Sequence, residues 1–332
     1  MNRAWIRRTL YWALSVAVSG ILLYYALRGV EWARVWRIVT HADLRYLAPA
    51  WAITIWSFFA RSLRWRILLN AEGRLGVRSV FWANMAGYLG NSFLPARAGE
   101  VLRTVLISGE SNLSKAYVLT TALSERMMDV VALVLAGSIV LMGVTPKPRW
   151  MVDASRALMA VAIAGVLFVI IVPHTGRMIE SVVKRIPLPA SFRTVLLGMA
   201  DQVLLGLRAF HDWRRLAGFG VLTAIIWSSD ACATVASAPA FGFTTSFPVA
   251  MLMLCALGLG SALPSTPGYV GVYQYAAVTA LTPFGVTRDQ ALAYILVAQA
   301  VGYAMVLIFG LPGLYLSRRK AATHAGLGLA QQ

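Results

Sequence analysis

Apolar residues in this chain come in long runs divided by short basic connections. Uninterrupted runs over 9–27, 46–60, 114–143, 155–172, 216–236 and 290–316 predict six helical spans, each near the ~20 residues that cross a bilayer. Two further runs, 84–107 and 254–277, are apolar but broken. The first is cut by Gly87, Gly90, Pro95 and Gly99 and carries Arg97, Glu100 and Arg103 just past its proline. Broken helix at membrane depth is tolerated only where it packs on protein or lines a water-filled cavity. Both runs are therefore predicted to be re-entrant hairpins, the first turning at 91–95, with Pro95 ending its first arm. The expected fold class is all-α: a polytopic membrane protein of six full spans plus two broken helical hairpins.

The broken runs share a grammar. SFLPARAGEV at 92–101 aligns with SALPSTPGYV at 261–270, with Ser, Leu, Pro, Gly and Val in register, and the matched prolines (264 less 95) lie 169 residues apart. Followed through the spans, the first hairpin is entered from the cytoplasmic side and the second from outside. That predicts an inverted-topology repeat, 44–143 and 215–316, within one domain over 1–317. The halves are joined by a cytoplasmic amphipathic region, 174–214, and followed by a cytoplasmic tail at 318–332 whose last dozen residues read as disordered.

Charge sets the orientation. Arg3, Arg7 and Arg8 before the first span, the run Arg61, Arg64, Arg66, Arg74 and Arg78 after the second, and Arg318, Arg319 and Lys320 after the last place both termini in the cytoplasm. These arginines read as topological anchors, and the first run reads as a retained span rather than a cleaved signal. Hydrophobic residues make up 59% of 332, mean hydropathy is +0.68 and 13% are charged, which excludes a soluble globular class. The net charge of +17 suggests nucleic acid only if its distribution is ignored, because the basic residues sit beside apolar runs and suit anionic lipid. Cys232 and Cys255 have no ligand spacing, and the four histidines are scattered. Phosphate-loop and metalloprotease signatures are absent, so no metal, cofactor or nucleotide-driven pump is expected.

Candidate chemistry gathers at the breaks. Arg97 and Glu100 stand near the start of a returning half-helix, where exposed amides favour an anion such as phosphate and Arg97 can add a bidentate contact. Asn91 can bond exposed backbone or a ligand. Glu100 and Arg103, three apart, can equally pair with each other. Ser124, Glu125, Arg126 and Asp129 form a second polar group in an otherwise apolar span, with Arg126 placed to meet a carboxylate of the first hairpin. Such charges should face a cavity or one another, unless they snorkel into cytoplasmic water. Tyr269 and Tyr273 offer an uncharged wall, or ordinary interfacial anchoring. Gly90, Pro95, Gly99, Pro264, Pro267 and Gly268 are the expected hinge and shaping residues.

Residues N91-S-F-L-P-A-R-A-G-E100 with Arg103, S124-E-R-M-M-D129 and L263-P-S-T-P-G-Y-V-G271 resemble the flippase-like membrane proteins related to the transmembrane region of lysylphosphatidylglycerol synthase. The resemblance runs over roughly 10–316. It implies a non-enzymatic protein of the inner, cytoplasmic membrane that moves an anionic phospholipid or lipid-linked molecule between leaflets. Full synthases add a soluble aminoacyl-transferring domain that is not expected here. A membrane-embedded lipid or glycosyl transferase, and an accessory of envelope or hopanoid synthesis, are the alternatives; the oligomeric state is unspecified.

Overall fold

The computed structural model describes residues 3–94, 98–143, 149–171 and 212–329, with isolated positions between 193 and 210. The region 174–214, expected to hold amphipathic helices, therefore lies almost entirely outside the described residues, as do Pro95 and Arg97. Among the described residues every regular element is helical: α1 (Arg3–Leu27), α2 (Trp32–Thr40), α3 (Leu44–Leu69), α4 (Val77–Phe93), α5 (Ala98–Gly109), α6 (Lys115–Gly143), α7 (Arg149–Ile171), α8 (Trp213–Ser237), α9 (Phe247–Gly260), α10 (Val272–Leu281) and α11 (Arg288–Leu329).

This is an all-α polytopic membrane protein. Among the described residues three helical stretches, Lys115–Gly143, Trp213–Phe241 and Arg288–Lys320, are individually long and apolar enough to cross a bilayer. The apolar part of α1 and helix α2 form a fourth candidate, bent by 87°. The connection after the first span is thus a short helix lying across α1, with the Trp36 side chain mostly exposed. Several boundaries differ from expectation. Helix α3 does not stop at residue 60 but continues to Leu69, so Arg61 and Arg64 lie inside it. Once buried partners neutralise them, arginines no longer end a span. Helix α11 runs on to Leu329 into the segment expected to be a disordered tail, which holds no proline to end it. At the other end of the chain, α1 starts at Arg3, ahead of the expected residue 9.

Helices α3 and α8 form the central contact and run antiparallel: Arg61 meets Asp230, Arg64 meets Thr223, and Ile67 lies against Gly218. Their first residues, Leu44 and Trp213, are 169 positions apart (213 less 44). Each is preceded by an aspartate whose side chain accepts a hydrogen bond from the backbone N–H two residues on, Asp43 from Arg45 and Asp212 from Arg214, both at 2.9 Å. Such caps satisfy amides that a helix start leaves unpaired.

Apolar packing flanks this centre on two sides. Trp65, Leu69, Val80, Ala83, Leu106 and Val118 bury against one another where α3, α4, α5 and α6 meet. A larger core joins Ala238, Phe241, Val249, Met253, Leu281 and Tyr294. Leu69 and Ala238, like Val80 and Val249, keep the 169-residue spacing while occupying opposite cores. Helix α1 is fastened by Arg288, which donates to the Arg28 carbonyl at 2.8 Å, and the α2 start by Asp289, which accepts from the Glu31 N–H at 3.1 Å.

Candidate functional site

Glycine shapes the first hairpin. Its arms, α4 and α5, approach so closely that a Cβ on Gly99 would stand 1.9 Å from the Gly87 carbonyl oxygen, and one on Gly90 would stand 2.7 Å from the Gly99 Cα. Close approach, rather than a left-handed backbone, is what these glycines supply. The arrangement brings α5 and its charged face against α3 and α6.

Six side chains then close a ring of alternating charge. Arg64 pairs with Glu125 (2.9 Å), Glu125 with Arg103 (3.0 Å), Arg103 with Glu100 (2.5 Å), Glu100 with Arg126 (2.9 Å), Arg126 with Asp129 (3.8 Å), and Asp129 with Arg64 (2.6 Å). Arg64 also donates to the Thr223 hydroxyl, and Arg103 to the Asn84 side-chain oxygen. All three guanidiniums lie over rings, Arg103 over Trp65 at 4.3 Å, Arg64 over Phe219 at 4.9 Å and Arg126 over Tyr88 at 6.0 Å. A lone charge in such surroundings would cost several kcal/mol, and mutual pairing offsets that cost. Arg126, 28% exposed where the other five are at most 8%, is the member that faces open space.

That space is a cavity of about 410 Å³ between the two broken segments. The first segment and α6 contribute Asn91, Glu100, Arg126 and Asp129, and the second contributes Ser261, Tyr269 and Tyr273. Asn91 donates to Glu100 at 3.2 Å. Tyr269 and Tyr273 stack with ring centroids 4.9 Å apart. Tyr269 adopts a φ of +61°, a left-handed conformation uncommon for an aromatic residue. Next to it Gly268 has φ +75°, and its carbonyl accepts from both Gln299 and Tyr303. Pro267 opens the short 3-10 turn that holds this geometry, and Thr266, two residues past Pro264, bonds Ser19 of α1.

Six of the residues singled out from sequence, Asn91, Glu100, Arg126, Asp129, Tyr269 and Tyr273, thus line one cavity, while Arg103 and Glu125 stand behind it in the ring. Sequence reasoning missed Arg61, Arg64, Asn84 and Asp230. The first two read in sequence as topological anchors, yet Arg64 is fully buried. Asp230 pairs with Arg61 at 2.5 Å, and the two are 169 positions apart, the spacing of the matched prolines. Applying that spacing to every charged residue would have found the pair. Among the described residues no group of three His, Cys, Asp or Glu side chains is placed to hold a metal ion.

Residues 12–310 match the family model described as the lysylphosphatidylglycerol synthase transmembrane region. A UPF0104 membrane protein of Methanothermobacter thermautotrophicus is 24% identical over 319 residues, covering 92% of each chain. The glycosyltransferase AglD of Haloferax volcanii is 25% identical over 347 residues, covering 94% of this chain and 54% of that protein. The chain therefore spans about half the length of the glycosyltransferase it matches.

Proposed function

The chain belongs to the family of the lysylphosphatidylglycerol synthase transmembrane region, and we propose on that premise that it moves a lipid or lipid-linked molecule between the leaflets of a membrane. The observation that carries the reading is the meeting of two broken helical segments, far apart in sequence, around one polar cavity. Transport sites in inverted-repeat folds lie at such a meeting, near the bilayer midplane. The work is non-enzymatic: binding, passage and release with no bond made or broken.

In this reading the membrane region comprises six spans and two re-entrant hairpins, in a cytoplasmic membrane with both termini on the cytoplasmic side. The repeats are 44–143 and 215–316, joined through 174–214 and followed by the segment from 318. The equal spacing of the α3 and α8 starts, of their aspartate caps and of the matched prolines supports that arrangement. So does the antiparallel contact of α3 with α8, since a twofold axis brings an element against its own counterpart.

The substrate we assign is an anionic phospholipid or lipid-linked molecule whose phosphate enters the cavity while its tails stay in the bilayer. Arg126 is the ring member exposed to that cavity, and Arg97 follows two residues after Pro95 in the sequence. The ring makes the wall rigid, and Tyr269 and Tyr273 give the opposite wall hydrogen bonds without charge.

The test is translocation of fluorescent phospholipid in liposomes that hold the purified protein. Wild type should move lipid, Arg126→Gln should move it several-fold more slowly with unchanged folding, and a labelled sugar donor should not be consumed. Protein that is folded but moves neither phospholipid nor polyprenyl-linked lipid would overturn the reading.

A further inference from the structure

Arg61 and Asp230, 169 positions apart, occupy equivalent places in the two proposed repeats and touch each other. In an inverted arrangement such a contact lies on the pseudo-twofold axis, which runs in the membrane plane. Asp230 accordingly lines two compartments, and Arg61 lines both with it. One is the cavity between the broken segments, and the other, of about 320 Å³, lies between α3, α8 and the start of α11.

The surroundings of Asp230 differ on the two sides. Counted 169 positions on, Arg64, Glu125 and Asp129 of the ring correspond to Ala233, Tyr294 and Ala298, which all line the second cavity. The charged ring of one repeat is thus matched by an uncharged vestibule in the other. Titratable groups on the vestibule side, besides Arg61, are Tyr88 and Tyr294. On the ring side they are Glu100, Arg126 and Asp129 with Tyr88, Tyr269 and Tyr273, while α9 brings only apolar residues to both. Asp230 also differs from the three ring carboxylates in its partners. Among the described residues each of those meets two arginines, and Asp230 meets Arg61 alone. Neutralising a ring carboxylate would strand two buried cations. Neutralising Asp230 frees one, and that one already lines the substrate cavity.

We propose that Asp230 binds a proton that travels with the anionic lipid, so that the protein is a proton–lipid symporter. The inference rests on the translocation reading and adds its coupled ion. With the site empty, Arg61 and Asp230 sum to zero charge. A lipid phosphate that enters alone takes Arg61 from Asp230 and leaves a carboxylate unpaired in the membrane, the costly outcome for any buried ion pair. A proton from the water of the cavity removes that cost. It converts the Asp230 carboxylate to the acid, the phosphate takes its place on Arg61, and the sum is zero again. On release the phosphate leaves, Asp230 returns its proton to the water on that side, and the ion pair closes. Neutral empty and neutral loaded states can rearrange within the bilayer, where the half-loaded charged states are opposed. One proton therefore accompanies each phosphodiester, and an acidic outside drives the lipid inward.

The experiment adds short-chain phosphatidylglycerol to the purified protein in weakly buffered detergent, reading proton uptake with a pH dye and binding by tryptophan fluorescence. Wild type should take up about one proton per lipid bound. Its affinity should rise about tenfold for each unit the pH falls, over the range where unliganded Asp230 is ionised. Asp230→Asn should take up none, lose the pH dependence and bind about tenfold tighter at neutral pH, because no carboxylate competes for Arg61. Size-exclusion profiles establish that the variant is folded, and the wild-type proton count stands without it. No uptake in wild type, or uptake that persists in folded Asp230→Asn, would overturn the proposal. In liposomes an acidic outside should speed the inward movement of fluorescent phosphatidylglycerol by wild type, and Asp230→Asn should lose that response. Movement indifferent to the gradient would overturn the coupling and leave the translocation reading in place. Should wild type move nothing, the translocation reading falls by itself, and the proton count in detergent still decides whether Asp230 takes a proton with an anionic lipid.

Discussion

Arg64 holds Asp129 through two parallel contacts, Nη1 to Oδ1 at 2.6 Å and Nη2 to Oδ2 at 2.9 Å, across 65 positions of sequence. The fork geometry suits a carboxylate in a way an ammonium cannot reproduce. Arg64→Ala should therefore lower stability by about 3–5 kcal/mol, since it leaves Glu125 and Asp129 buried beside an empty volume. Arg64→Lys should recover less than half of that loss. Unfolding in detergent, followed by tryptophan fluorescence, checks both.

Gly99→Ala should fail to give monodisperse protein, because its methyl group would stand 1.9 Å from the Gly87 carbonyl oxygen and 2.6 Å from the Asn91 backbone nitrogen. Gly220→Ala is the control. A Cβ there would meet nothing within 4 Å beyond its own helix, and a helical alanine should hold or raise stability by about 0.5–1 kcal/mol. Size-exclusion profiles and unfolding temperatures separate the two.

Tyr303→Phe should cost about 1 kcal/mol, the ordinary worth of one hydrogen bond, because Gln299 continues to donate to the Gly268 carbonyl. Gln299→Ala should cost more. It removes that bond and also the contact with Gln274 at 2.6 Å, which in turn holds the Gly271 N–H. The comparison reads how firmly the second broken segment is seated.

Single cysteines at Asn112 and Ser246, in a background of Cys232→Ala and Cys255→Ala, should label from opposite sides of the membrane with an impermeant maleimide. These positions lie in the connections after α5 and before α9, which the inverted arrangement puts on opposite faces. Labelling from one side alone would remove that arrangement while leaving the helices as they are.

The hairpins were legible in sequence because glycine and proline inside apolar runs have few other uses, and SFLPARAGEV with SALPSTPGYV repeated them in register. The helical class followed from the same runs. Arg61 and Arg64 were not legible, because arginines after an apolar stretch look alike whether they meet water or a buried carboxylate. What separates the cases is the partner, and Glu125, Asp129 and Asp230 are 61 to 169 positions away. The cavity was half legible: Asn91, Glu100, Arg126 and Asp129 came from polarity out of place, Tyr269 and Tyr273 from the aromatic, uncharged surface of the second broken run. The extent of α3 was missed for the same reason as its arginines, since ending a span at the first charge presumes that the charge is solvated.

The alternating ring has a consequence for how this protein can diverge. A closed circuit of opposite charges has an even number of members, and each touches two of the other sign. Deleting one member leaves two like charges facing across a gap, and reversing one sets three like charges in a row, so no single step leads to another balanced circuit. Lineages that depart from Arg64 and Asp129 should do so by paired replacement, leaving the circuit as an apolar couple, because exchanging their signs would set like charges against Glu125 and Arg126. Covariation of those two columns among homologues would be the record of that parity.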